Sequence, residues 1–345
     1  MNAPIGQHWK QTNEREDLLG ASYRSRTFSF SDPKGPVDTT LIDHLGEQKA
    51  KQGILYIHGY TDYFFQTGLA DHFIAQGYRF YAVDLQGYGR SIRPNLLPNW
   101  CDSIDQYGQD LDIALATMKE DGVDQVIMLA HSTGGLVAAT YLAKHPLLSE
   151  RESHYKTSFP AITGLILNSP FLALPFSPKV LKRLNCPIYT LVSLLPFVSF
   201  QAKEATLYSQ SLHTTFNGEW DYRLDWKPAA GFPLSFHWLK QITLAQRSLT
   251  NKHIETPTLL CHSEISTINT KNVADMQMGD GVLNINSMQD AATKTFTNLD
   301  IAIIPKGFHD LYLSHLPARE AYLASIDSWL IEQTHKNEIE KKPDE

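Results

Sequence analysis

The chain has 345 residues, 42% hydrophobic and 19% charged, which suits one large globular core with an inserted subdomain, or two modest domains. Its formal net charge is −7 and it carries no basic stripe to displace counterions from phosphates, so no nucleic-acid partner is expected. Three cysteines without CxxC spacing, Cys101, Cys186 and Cys261, make neither a disulfide framework nor a zinc site, and the polar start MNAPIGQHWKQTNERED holds no apolar signal segment; the expected location is the cytoplasm.

Residues 1–20 read as a polar, partly helical lead-in. Ser22 to Ser31 and Val37 to Asp43 alternate and are rich in β-branched or aromatic residues. They predict two antiparallel strands joined by a turn at Asp32–Pro33–Lys34–Gly35. Six short, unbroken apolar runs follow: Gly53 to Ile57, Arg79 to Val83, Val126 to Ala130, Ile162 to Leu167, Thr258 to Cys261 and Ile301 to Ile304. Such strands are buried on both faces, as in a parallel sheet covered by helices. Helices are expected near 65–76, 103–120, 133–144, 284–297 and 317–334. The last carries Tyr322, Ile326, Trp329 and Leu330 on one face.

The alternation breaks between Leu167 and Thr258. A structureless loop of that length is implausible, so an inserted, mainly helical subdomain is expected at the carboxyl ends of the strands. The chain then divides into a first core part (1–171), the insert (172–256), a second core part (257–335) and a charged tail (336–345). The most apolar run, Pro187 to Phe200, is too short for a membrane-spanning helix and has two prolines.

Chemistry is concentrated where strands end. Val126 to Ala130 leads straight into His131–Ser132–Thr133–Gly134–Gly135 and an apolar helix. A tight strand-to-helix turn thrusts a serine hydroxyl out of the sheet edge, and small neighbours let strand and helix approach. Ser132 as a mere helix cap is the plainer reading, but the buried strand before it favours a nucleophile. Ala130 stands where the GxSxG pattern has its first glycine; Gly134 keeps the second. The strand ending at Ile57 runs into His58–Gly59–Tyr60, so the Tyr60 and Thr133 N–H groups are candidate oxyanion donors. Asp84–Leu85–Gln86–Gly87–Tyr88–Gly89–Arg90–Ser91, after the next strand, reads as a glycine-rich loop shaped for packing.

HGY, DxxGxGxS and HSTGG in this order resemble the α/β-hydrolase superfamily, and more narrowly its monoacylglycerol lipase, lysophospholipase and serine aminopeptidase-like (S33-type) branch, over about residues 20–335. The resemblance implies a twisted, mostly parallel sheet of about eight strands with a cap inserted after the sixth.

The last apolar strand is followed by Pro305–Lys306–Gly307–Phe308–His309–Asp310. A histidine there suits the chain order serine, acid, histidine, and imidazole can take and return a proton near neutrality. His309 is the candidate base. His58 and His131 read as packing residues, His315 as a surface residue and Asp310 as a helix cap. No HExxH or comparable spacing suggests a metal. The acid is ambiguous. Glu264 directly follows the seventh expected strand. Counting back from the last strand across one helix reaches Asp280 instead, and DGVLN looks like the family's usual acid followed by a small apolar pair. Asp280 is chosen, residues 264–279 being an enlarged loop; Glu264 and Asp275 are the alternatives.

The expected activity is hydrolysis of carboxylic esters with apolar acyl groups through an acyl-enzyme. Ser132, His309 and Asp280 would do the chemistry, and no cofactor would be needed. The substrate would be a small ester or lipid-like molecule. The aromatic-rich insert, Pro187 to Phe200 especially, would line an acyl channel or touch a membrane surface transiently. Glu219, Asp221 and Asp225 keep open an aminopeptidase-like reading in which a carboxylate holds a substrate amine. A non-catalytic binding protein on the same fold is the third reading.

Overall fold

Runs such as ILYI and VIMLA cannot present a polar face to water, so they form strands covered on both sides. In the computed structural model, which describes residues 9–32, 35–46, 49–94, 96–146 and 158–339, each of the six runs is a strand. They are β4 (Gln52–Ile57), β5 (Arg79–Asp84), β6 (Gln125–His131), β7 (Ala161–Asn168), β10 (Thr258–Ser263) and β11 (Leu299–Ile304). All six pair in parallel, in the order β5-β4-β6-β7-β10-β11. The expected antiparallel pair is β2 (Gly20–Asp32) and β3 (Gly35–His44), and β3 runs antiparallel to β5. Pro33 and Lys34 of its turn lie outside the described residues, as do residues 1–8 and the tail from 340 on.

The lead-in is not helical. Trp9–Asp17 is a strand, β1, antiparallel to β2 from Trp9 opposite Phe30 to Asp17 opposite Gly20. Its sequence, WKQTNERED, has no apolar alternation because this edge strand leaves most of its side chains in water. Charged residues on an exposed edge also discourage pairing with other chains. The described sheet therefore has nine strands rather than about eight, and the insert follows the seventh strand in the chain.

Helices cover both faces. One face packs against α1 (Thr67–Ala75) and α9 (Leu316–Ile339), whose Tyr322, Ile326, Trp329 and Leu330 are buried together as their spacing predicts. The other packs against α2 (Gly108–Glu120), α3 (Thr133–Lys144) and α8 (Ile285–Thr295). Between β7 and β10 the chain forms α4 (Pro178–Leu194), the two-residue strands β8 (Ser199–Phe200) and β9 (Leu234–Ser235), α5 (Leu207–Leu212) and α6 (Phe236–Leu249). Irregular chain from 213 to 233 links α5 to β9, carrying one bridge between His213 and Trp220. The apolar run from Pro187 becomes the second half of α4 and the turn into β8. Among the described residues no helix is long and apolar enough to cross a membrane.

Side chains pin the insert to the core. Lys227 Nζ lies 2.6 Å from Asp62 Oδ1, Trp220 Nε1 donates to the Leu313 carbonyl (2.8 Å) and Tyr60 Oη to the Pro233 carbonyl (2.9 Å).

The glycine-rich loop after β5 is indeed a packing device. Gly89 has φ 46°, and a Cβ there would stand 2.4 Å from Asp84 Oδ2. This close approach lets the next residue, Arg90, turn inward. Its guanidinium donates to both Asp17 oxygens (2.7 and 2.6 Å), to Asp84 Oδ2 (2.9 Å) and to the Phe64 carbonyl (3.0 Å), with all three charged side chains buried. The pair ties the end of β1 to the centre of the fold. Arg90→Ala would strand two buried carboxylates and should cost about 3–5 kcal/mol in urea unfolding. Arg90→Lys should recover little, since an ammonium lacks the fork that serves Asp17 bidentately. An unchanged unfolding midpoint in Arg90→Ala would refute this account.

Candidate active site

β6 ends at His131 and α3 begins at Thr133, so the whole turn is Ser132, with φ 51° and ψ −116°. So sharp a turn brings α3 against the end of β4. A Cβ on Gly134 would stand 2.4 Å from the His58 carbonyl oxygen and 2.6 Å from that of Ile57, so only glycine fits. The main chain fixes the turn from both sides. Ser132 N–H donates to the Asn168 carbonyl (3.0 Å), and the Ser132 carbonyl accepts from Phe171 and Gly135 N–H (2.9 and 3.0 Å).

The loop after β11 brings His309 to this turn. His309 Nε2 is 2.9 Å from Ser132 Oγ, and Nδ1 is 3.0 Å from Asp280 Oδ2. The other carboxylate oxygen of Asp280 accepts from Val282 and Leu283 N–H, both at 2.8 Å. Asp280 is itself anchored through its main chain, donating to the Ile265 carbonyl (2.9 Å) and accepting from Thr267 N–H (2.7 Å). Residues 264–279 thus form a loop that returns beside Ser266 before the acid. Glu264 and Asp275 are exposed, and Asp275 accepts from Asn272 Nδ2 (2.7 Å) at the start of the short helix α7 (Val273–Met276). Neither reaches His309.

His58 and His131 are buried. His58 Nε2 accepts from Leu85 N–H (3.1 Å), which leaves Nδ1 as donor to the Gly59 carbonyl (2.8 Å). Burial holds the His131 ring below its usual pKa, hence neutral, with Nδ1 3.2 Å from the Asn168 carbonyl. His315 is exposed and pairs with Glu219 (2.8 Å).

A cavity of about 460 Å³ opens on Ser132. Tyr60 and Thr133 border it beside Ser132, and Phe171, Ile188, Leu191, Val192, Trp238 and Leu239 form much of its wall. α4 and α6 of the insert supply Ile188, Leu191, Val192, Phe236, Trp238 and Leu239 to that wall. Among the described residues no carboxylate lines it. Glu219, Asp221 and Asp225 are exposed instead, Glu219 beside His315 and Arg319 and Asp225 beside Arg223.

Asp62, His131 and Asp310 form a buried group whose spacing could suit a metal ion. Within the chain Asp62 has a cationic partner through one oxygen, the other being buried without a hydrogen-bond partner, and Asp310 has neutral donors. Burial works against an ionised Asp62, but the Lys227 ammonium outweighs it and holds the carboxyl below its usual range. Asp310 accepts from Asn168 Nδ2 (2.8 Å) and Gln66 Nε2 (3.4 Å), and from Tyr312 N–H (3.1 Å) as a helix cap.

Residues 48–313 match the model of the Hydrolase_4 family, described as serine aminopeptidase, S33. The chain belongs to this family. It shares the α/β-hydrolase fold with two solved structures. A soluble variant of monoglyceride lipase from Saccharomyces cerevisiae superposes with a TM-score of 0.59 at 16% identity, covering 86% of this chain and 93% of that one. Monoacylglycerol lipase from Paleococcus ferrophilus gives 0.54 at 16% identity, covering 81% and 94%. Local sequence likeness extends to epoxide hydrolase 1 of Caenorhabditis elegans, 31% identical over 98 residues, and to probable lysophospholipase BODYGUARD 4 of Arabidopsis thaliana, 30% identical over 101. Each match takes in 28% of this chain and only 23% of the relative's length.

Within this S33-type hydrolase three further residues stand at the site, of which Tyr208 belongs to the aromatic set expected in the insert. Tyr208, from the insert, sets its ring 5.8 Å from that of His309 at 71°. Lys227 reaches Asp62 from the insert. Asn168 stands at the end of β7. Of the other two, only Asn168 carried a signal: it is the polar residue that ends a buried strand at the sheet edge where sites form.

Proposed function

We propose that this chain is a serine hydrolase that cleaves carboxylic esters with apolar acyl groups. The observation that carries the reading is the continuous relay Ser132–His309–Asp280, at 2.9 and 3.0 Å, at the foot of an apolar cavity. In this reading His309 Nε2 takes the Ser132 proton as Oγ attacks the ester carbonyl. Asp280 stabilises the imidazolium, and the N–H groups of Tyr60 and Thr133 hold the oxyanion. His309 returns the proton to the leaving alcohol, and water then resolves the acyl-enzyme by the same route. Residues 172–256 act as a cap. Its α4 and α6 give the acyl chain an apolar wall, and the absence of a carboxylate among the described residues of that wall disfavours a substrate amine. The buried Cys261 thiol suits a reducing location, the cytoplasm.

The cap also carries the features of a lipid-facing surface. Leu194, Phe197 and Phe200 are 73, 92 and 59% exposed, and Leu191, 49% exposed, also lines the cavity. Lys179, Lys182 and Arg183 stand exposed on the first half of the same helix. An apolar ridge beside basic residues suits an anionic lipid surface, from which a substrate would pass Leu191 into the cavity.

Three tests follow from these arguments. A fluorophosphonate should label Ser132, and Ser132→Ala should lose both labelling and about 10³-fold or more of turnover on nitrophenyl esters and monoglycerides. Faster cleavage of aminoacyl amides than of apolar esters by the unaltered chain would instead favour an aminopeptidase. Asp280→Asn should lower kcat by up to about 10⁴-fold while the fold persists; Glu264→Gln should change little, and the opposite ranking would reassign the acid. The unaltered protein should float with phosphatidylcholine–phosphatidylglycerol vesicles. Replacing Leu194, Phe197 and Phe200 by serine should weaken that binding at least about tenfold, since each lost apolar contact is worth up to about 1.5 kcal/mol or more. Hydrolysis of a soluble short-chain ester should be unaffected. Failure of the unaltered protein to float would refute the lipid surface.

A further inference from the structure

The His309–Asp280 contact orients the imidazole but does not by itself decide how close the base loop comes to Ser132. We propose that Asn168 and Asp310 are the positioning pair that sets this distance, an inference that rests on the reading of Ser132 and His309 as nucleophile and base. Asn168 is the last residue of β7, which lies between the strand that leads to Ser132 and the strand that leads to the acid loop. It holds both partners. Its main-chain carbonyl accepts from Ser132 N–H (3.0 Å) and faces His131 Nδ1 (3.2 Å). Its side-chain amide grips the base loop at two points. Nδ2 donates to Asp310 Oδ1 (2.8 Å), and Oδ1 accepts from Leu311 N–H (3.1 Å). One residue thus spans from the nucleophile's turn to the residue after the base.

Asp310 spreads the grip. Its second oxygen accepts from Gln66 Nε2 (3.4 Å), and its N–H donates to Tyr208 Oη (3.2 Å), whose ring packs on His309. Both Asn168 and Asp310 are buried, so water does not replace these bonds. The residue types are the ones the geometry needs. Leu311 N–H requires an acceptor and the Asp310 carboxylate requires a donor, and an amide supplies both from one side chain. A nucleophile–base pair works over a narrow range of distance, and a displacement of 1 Å can cost about 10²-fold in rate.

The test reads kcat, KM and the rate of fluorophosphonate labelling on the full chain, with thermal melting alongside. Asn168→Ala and Asp310→Asn should lower kcat and the labelling rate by about 10²-fold with little change in KM. Asn168→Asp, which sets two carboxylates against each other, should do at least as much harm. The double variant Asn168→Asp/Asp310→Asn, which restores a carboxylate–amide pair with reversed polarity, should recover part of kcat. Cooperatively folded Asn168→Ala and Asp310→Asn variants with unaltered kcat would overturn the proposal, as would a lowered melting point with unchanged turnover in the folded fraction. If Asn168→Ala does not fold, Asp310→Asn and the double variant decide by the same readouts. Failure of the hydrolase reading is distinct: Ser132→Ala would then keep its activity or the probe would label another residue.

Discussion

A serine held at φ 51° is strained by about 1–3 kcal/mol, and such a conformation lasts only where the surroundings over-determine it. At Ser132 they do. Gly134 lets α3 press against the carbonyls that end β4, and the carbonyl of Asn168 and the N–H of Phe171 clasp the serine's own peptide groups. The parallel sheet makes this possible, because β4, β6 and β7 finish side by side at one edge. The helix axis that follows Ser132 also points its N-terminal partial positive charge back at the hydroxyl.

Once the turn is fixed, its partners come from distant parts of the chain at little extra cost in order. His309 sits in the loop just beyond β11 and Asp280 at the end of the long loop after β10, and each is anchored by bonds that do not involve the other. Asp280 is tied to Ile265 and Thr267, and the His309 loop is tied through Asp310 to Asn168. The relay between them therefore joins three supports that are each held by other hydrogen bonds, so it does not have to order the loops itself.

How far this was legible follows from the kind of signal each element leaves. Five of the six parallel strands announce themselves because burial on both faces forces unbroken apolar runs; β11, at the sheet edge, is apolar as well although Ile301 and Ile303 are exposed, so its run did not mean burial on both faces. β1 does not: an edge strand in water has no apolar period, and its end is held by Asp17 meeting Arg90 far along the chain. Asp280 stood out from Glu264 only through a count across one helix, and the structure brings Asp280 to His309 while Glu264 stays exposed. Lys227 left no trace, and Asn168 showed only as a polar residue ending a buried strand. A single amide or ammonium acquires meaning from what it faces, and nothing in local pattern reveals that Lys227 meets Asp62 or that Asn168 meets Asp310. The cap was visible as an interruption, but its long irregular stretch from 213 to 233 takes its shape from contacts with the core.

Those contacts bear on how the two parts divide their work. Lys227 enters the core between the rings of Phe65 and Tyr222, each centroid 5.4 Å from Nζ, and meets a carboxylate in the same loop as Tyr60. A buried ion pair is poor glue in net terms, yet either partner left alone would be a buried uncompensated charge. The pair thus acts less as a source of stability than as a constraint on where the cap can sit. Around that fixed point the insert presents mostly side chains of α4 and α6 to the cavity, whereas Ser132, His309 and Asp280 stand on the core. Changes along α4 and α6 would then reshape the cavity wall without moving Ser132, His309 or Asp280, whose supports lie at strand ends and in the loop after β10.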